Sequence, residues 1–182
     1  MSLKSVKIGL CGNGTVGSGT LAVLRNNAGD ILARTGLPIE LVHLGARRDK
    51  AACDPGDARV SRDVLDVARD PEVDILVELI GGTTLAKELV ETAIRHGKHV
   101  VTANKALIAE FGNEIFALAD ERGVEVRFEA AVAGGIPIIK ALREGLAGNR
   151  IEWLAGIING TGNFILTEMR DEGREFADVL AE

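Results

Sequence analysis

Apolar, β-branched residues recur along the chain in short unbroken runs, and between the runs apolar positions return every three or four residues. The runs are VKIGLC at 6–11, IELVHL at 39–44, VDILVELI at 73–80, HVVTA at 99–103 and VEVRF at 124–128. Near-continuous apolarity, rather than alternation, predicts strands covered on both faces. The longer periodicity is carried by Leu21, Leu24 and Ala28, by Leu85, Leu89 and Ala93, and by Ile108, Ile115 and Leu118, and it predicts helices. Strands alternating with helices through short connections make a doubly wound α/β fold with a parallel sheet.

After residue 130 the texture changes. AAVAGGIPIIKALREGLAGN at 130–149 holds a glycine pair, a proline and a helix-like run through Leu146, read as a crossover leaving the sheet. IEWLAGII at 151–158 predicts a further strand, and NFILTEMRDEG at 163–173 a helix ending at Gly173. FADVLAE then starts another amphipathic turn or two. We therefore expect one domain over 1–135 and the start of a second, α+β domain over 136–182, the whole reading as a chain cut short. Met1-Ser2-Leu3, read as a cloning scar, is given no structural weight, and there is no internal repeat or low-complexity segment.

Composition narrows the range of partners. Aromatic residues are 3% of the 182 residues, too few for stacking platforms, and the formal charge of −6 lacks the clustered Lys and Arg of a nucleic-acid or anionic-membrane surface. A small-molecule partner is expected. Two cysteines, Cys11 in an apolar run and Cys53 in a polar stretch, form neither a disulfide framework nor a metal motif, which fits the cytoplasm. No apolar segment reaches the roughly 18 residues of a membrane span.

Chemistry enters with Gly12-Asn13-Gly14-Thr15-Val16-Gly17, a G-x-G-x-x-G spacing placed directly after the first strand and at the start of the first helix. In such a turn the first glycine allows the tight bend, the second lets backbone approach a pyrophosphate, and the third lets helix pack on strand. The context makes the fold Rossmann-like; a purely structural glycine turn is the alternative. The second strand runs into Gly45-Ala46-Arg47-Arg48, where a dinucleotide site selective for NAD would carry an acidic residue. Two guanidiniums match a 2′-phosphate, so NADP is expected, with Asp49 leaving NAD possible and a solvated arginine loop as the plain reading.

In an open α/β sheet, ligands gather beyond the carboxyl ends of the strands. There the glycine loop meets IGGTT at 80–84 and ANKA at 103–106. Thr83 or Thr84 either caps the next helix or offers a hydroxyl or N–H to the cofactor. Asn104 reads as an N-cap, which puts Lys105 in the first helical turn. The helix dipole and partial burial would both disfavour its charge there. A lysine that gives and takes a proton suits carbonyl reduction; an ammonium resting in water is the alternative.

At these residues the sequence resembles the homoserine dehydrogenase family. The resemblance runs through GNGTVG at 12–17, VDILVELIGG at 73–82, GKHVVTANKALIA at 97–109, FEAAVAGGIPII at 128–139 and INGTGNFIL at 158–166. It implies NADPH- or NADH-dependent reduction of aspartate 4-semialdehyde to homoserine, on the route to threonine, methionine and isoleucine, by a nucleotide-binding domain and a substrate domain that also forms a homodimer. It implies that Lys105 lies near substrate and nicotinamide, and that Thr161 lies beside the substrate. A monovalent cation, sodium, is implied at Glu129 and the carbonyls of Val132, Gly134 and Ile136, where Glu129 would otherwise brace the turn. The chain departs from the pattern at Asn13 and Gly162, and it lacks the G-x-D-A-x-x-K segment carrying the family's second lysine and the ACT-type regulatory region. It reads as the amino-terminal portion of such an enzyme, binding cofactor but turning over poorly alone. The rival readings are another NAD(P)-dependent reductase of an amino-acid-derived aldehyde or imine, and a non-catalytic NADP-binding sensor.

Overall fold

The computed structural model describes residues 4–182; Met1-Ser2-Leu3 lie outside the described residues. The chain divides into two compact units, one ending at Ile139 and the other running from Lys140 to Glu182.

The first unit is built on β1 (Val6–Cys11), β2 (Ile39–Gly45), β3 (Arg59–Ser61), β4 (Ile75–Glu78), β5 (His99–Thr102) and β6 (Val126–Arg127). The order across the sheet is β3-β2-β1-β4-β5-β6, with every pairing parallel. The helices are α1 (Thr15–Asn26), α2 (Ala28–Thr35), α3 (Val64–Arg69), α4 (Thr84–Arg95) and α5 (Lys105–Arg122). Neighbouring strand residues serve opposite faces. Leu10 and Val77 join α1's Leu21 in one cluster, whereas Cys11, Leu76 and Val100 join Val67, Leu89 and Ile115 of α3, α4 and α5 in the other. Apolar residues at successive positions are thus buried on both sides of the sheet, which is the doubly wound arrangement read from the sequence.

Local structure departs from the pattern at several points. The first periodic run is two helices, because Asn27 takes a non-helical conformation and ends α1 before α2 begins. β3 and α3 carry no signal in the sequence: β3 is three residues long and has one neighbouring strand. A buried polar cluster holds it. His43 Nδ1 lies 2.6 Å from Asp70 Oδ2, and its Nε2 lies 2.7 Å from Ser61 Oγ. Arg59 donates to the same carboxylate at 2.9 Å, and the buried Lys98 ammonium donates to the backbone carbonyls of Asp70 and Val73. A carboxylate only accepts, so His43 donates to it through Nδ1.

Burial would raise the Asp70 carboxyl, but the Glu72 N–H, His43 and Arg59 outweigh it and hold it below the usual carboxylate range. A depressed folded value means that the stabilisation is complete above about pH 4 and disappears as pH falls through that value. We expect Asp70→Asn to cost about 3 kcal/mol near pH 7. The Tm difference from the parent should shrink on acidification toward pH 2; a difference independent of pH would contradict this account.

The first unit ends with a 3₁₀ turn at Glu129–Ala131 and the entry to α6 (Ile138–Lys140). In the second unit a π-helical turn at Ala141–Gly145 completes the helix-like run. The predicted strand at 151–158 is absent: among the described residues these have no regular secondary structure and no strand partner, with Trp153 79% and Ile157 83% exposed. A strand exists only when its backbone groups meet a neighbour, and among the described residues none is offered. α7 (Gly160–Asp171) begins three residues earlier than the apolar pattern because Asn159 caps it, its Oδ1 accepting from Gly162 N at 2.6 Å. Ile165 of α7 and Val179 of α8 (Phe176–Leu180) are buried, and Arg174 bridges Glu168 and Glu182. No helix among the described residues is long and apolar enough to cross a membrane.

Candidate active site

At the carboxyl edge of the sheet, β1 ends in Cys11 and the chain turns through Gly12 into α1. Gly12 has φ +105°, and a methyl on it would stand 2.5 Å from the Leu79 carbonyl oxygen; one on Gly17 would stand 2.1 Å from the Gly12 carbonyl oxygen. Around Gly14 there is open space, with nothing within 4 Å of such a methyl. The first and third glycines are therefore filled by protein, and the second faces a space that protein leaves clear. The α1 N-terminus adds to this: Gly14 is its N-cap, no side chain caps it, and no acidic residue lies in its first turn. The leading N–H groups, including those of Thr15 and Val16, have no helical acceptor and point outward with the positive end of the dipole, a ready anion site.

A cavity of about 590 Å³ opens in front of this loop, lined by Gly12, Asn13 and Gly14, by Gly45 to Arg48, and by Gly81 to Thr84. The buried Asn13 donates through Nδ2 to the Arg48 carbonyl at 2.7 Å, tying the glycine loop to the arginine loop. An apolar side chain at this position has no such bond to make. Arg47 and Arg48 are exposed on the wall. Lys50 and Arg62, which the sequence reading missed, also line it. Arg62 grips both oxygens of Asp49 at 2.8 and 2.9 Å and donates to the Ala46 carbonyl, so Asp49 is engaged by a cation. The signal for Arg62 lay in β3, too short to be read. A second hollow of about 680 Å³ on the α1–β2 flank shares no residue with this one.

Thr83 is the N-cap of α4, but its side chain makes no capping bond. Thr83 and Thr84 both line the cavity. Asn104 caps α5 as expected, its Oδ1 accepting from Leu107 N at 3.1 Å, while its Nδ2 donates to the Gly82 carbonyl at 2.6 Å. Lys105 is the first residue of α5, one position beyond that link to the cavity rim. It is exposed, which corrects the expectation of partial burial. Sequence reasoning also overlooked Glu78, fully buried at the end of β4.

Glu129 Oε1 accepts from Ile139 N at 2.9 Å, which is the bracing role. Within the turn so closed, Ala133 has φ +46° and the Ile136 carbonyl accepts from Ile138 N. Thr161, the second residue of α7, is exposed in the second unit.

A parallel sheet in this strand order, with a glycine turn feeding a helix N-terminus at its carboxyl edge, defines a dinucleotide-binding Rossmann domain. Comparison with known proteins is more specific. The family model for the NAD-binding domain of homoserine dehydrogenase matches residues 12–129, and the homoserine dehydrogenase model matches residues 137–182. The chain belongs to the homoserine dehydrogenase family. It is 65% identical over 180 residues to the homoserine dehydrogenase of Pseudomonas aeruginosa, covering 99% of this chain and 42% of that protein. It is 41% identical over 182 residues to that of Bacillus subtilis, again 99% against 42%. The crystal structure of a homoserine dehydrogenase from Thiobacillus denitrificans superposes with a TM-score of 0.92 at 61% identity, over 98% of this chain and 42% of that one. The chain thus spans less than half the length of these relatives.

Proposed function

We propose that this chain is the cofactor-binding portion, with one edge of the substrate site, of a homoserine dehydrogenase that interconverts L-aspartate 4-semialdehyde and L-homoserine with NADPH. The observation that carries the reading is the uncapped α1 N-terminus with open space at Gly14, facing a cavity walled by Arg47 and Arg48. The residues present fit a dinucleotide: amides of Gly14 to Gly17 for the pyrophosphate, the arginines for the 2′-phosphate, and Thr83 and Thr84 as hydroxyl donors on the opposite wall. A reduced nicotinamide seated there would supply the hydride for the aldehyde carbon. Lys105 donates to the carbonyl oxygen, stabilises the negative charge that develops there and yields the proton that completes the alcohol. Thr161 is assigned to the substrate.

NADP is preferred to NAD in this reading, because two guanidiniums stand on the wall and Asp49 is paired with Arg62. A monovalent cation, sodium, is assigned to Glu129 and the carbonyls of Val132, Gly134 and Ile136. Hard oxygen donors suit it, and the positive φ of Ala133 marks a turn held in an uncommon conformation. The family resemblance extends the proposal to a homodimer in the cytoplasm, acting on a small molecule. One titration series tests the cofactor and cation assignments. Arg47→Ala and Arg48→Ala should each weaken NADPH about tenfold or more while leaving NADH within about twofold, and sodium should raise the Tm above that in choline at equal ionic strength. An unchanged NADPH:NADH preference removes the arginine assignment, and identical Tm values remove the cation.

A further inference from the structure

Glu78 and Thr102 are register partners at the carboxyl ends of β4 and β5, and both side chains are buried. Glu78 Oε1 accepts from Ile80 N at 2.9 Å and from Gly81 N at 3.3 Å, and its Oε2 accepts from Thr102 Oγ at 2.5 Å. Thr102 Oγ accepts in turn from Asn104 N at 3.0 Å, and Asn104 Nδ2 returns to the Gly82 carbonyl at 2.6 Å. These bonds close a ring. It joins the loop after β4, where Gly81 and Gly82 both have positive φ, to the cap of the helix that begins with Lys105. Among the described residues no cation pairs with Glu78, so this buried polar side chain is satisfied by hydrogen bonds alone.

We infer that Glu78 is a positioning residue: it binds the Ile80–Gly82 loop and the first turn of α5 into one unit, so that seating a dinucleotide on the loop and placing Lys105 are a single event. The assignment of Lys105 rests on the proposed function; the clamp rests on the ring. Chemistry favours a carboxylate here. Both oxygens must accept, from backbone N–H on one side and a hydroxyl on the other. Glutamine would turn an N–H₂ toward Thr102 Oγ, which would then face two donors and find no acceptor for its own proton.

Amide hydrogen exchange on the 182-residue chain tests this through effects that cross the ring. Thr102→Val removes nothing from the 80–82 loop, and Glu78→Gln removes nothing from α5. We expect Thr102→Val to speed exchange at Ile80 and Gly81, and Glu78→Gln to speed it at Leu107, each about tenfold or more, with Leu10 in β1 unchanged. Thr102→Ser, which keeps the hydroxyl, should behave as the parent. Effects confined to the substituted side, or loosening that reaches Leu10 equally, overturn the clamp. Saturating NADPH should slow exchange in both segments of the parent but only in 80–82 of Thr102→Val; equal protection of both segments in that variant also overturns it. Protection of neither segment in the parent contradicts the proposed function instead, since the effects across the ring are read without cofactor.

Discussion

Replacing Lys105 by methionine in an enzyme carrying this chain at full family length is expected to lower kcat by about 10²- to 10⁴-fold, the range supplied by one positioned proton donor. NADPH affinity should change by less than about threefold, because the glycine loop and the arginine wall lie on other elements. The argument starts from placement. α5 begins at Lys105 because Asn104 caps it, and Asn104 is fastened to Gly82 on the cavity rim. An amine at a helix N-terminus is electrostatically disfavoured, so its placement there is not explained by helix stability. Lys105 is exposed, and among the described residues no hydrogen bond or ion pair engages it, which an ammonium resting in water would also show. Kinetics separate the two. Lys105→Arg keeps the charge but gives up its proton far less readily, so a kcat that stays as low as in Lys105→Met, with NADPH affinity again near that of the parent, identifies proton transfer as the role. Full kcat in Lys105→Met would remove the proposed chemistry.

The glycine loop yields the second large effect, and it divides the three glycines. Gly17→Ala should cost about 3 kcal/mol, lowering Tm by roughly 10 °C, because the new methyl lies 2.1 Å from the Gly12 carbonyl oxygen and α1 must move off the sheet to make room. Gly12→Ala adds an unfavourable φ of +105° to a contact of 2.5 Å and should be at least as costly. Gly14→Ala meets nothing and should leave Tm within about 2 °C, yet it should weaken NADPH about tenfold or more by occupying the approach of the pyrophosphate. A purely structural turn predicts no loss of binding from Gly14→Ala. Differential scanning fluorimetry with and without NADPH reads both quantities on one plate.

The features legible from sequence were those encoded locally. β1 and β5 follow their apolar runs closely, the turn at Gly12 follows the glycine spacing, and the start of α5 follows Asn104, because a side chain three residues away satisfies an amide that would otherwise be unpaired. The features that escaped depend on residues distant in sequence. β3 is held by contacts of His43 with Ser61 and Asp70, 18 and 27 positions apart, and no periodicity records such a pairing. Glu78 sits inside an apolar run, where its significance emerges only once Thr102 is brought opposite. Arg62 joins the site because β3 ends beside it. Residues 151–158 show the opposite failure: Ile151, Leu154, Ile157 and Ile158 have strand-like side chains, but a strand also requires a neighbour.

Crystals of the chain soaked with NADPH would test most directly the claim that the sheet edge presents a nicotinamide to Lys105. The account predicts the pyrophosphate on the amides following Gly14, the 2′-phosphate against Arg47 or Arg48, and the nicotinamide beside the Gly81–Thr83 loop, with the Lys105 amine able to come within hydrogen-bonding distance, about 3 Å, of an oxygen placed at its reactive carbon. A ring bound elsewhere, or a Lys105 amine facing bulk water beyond any reach of that carbon, would contradict it.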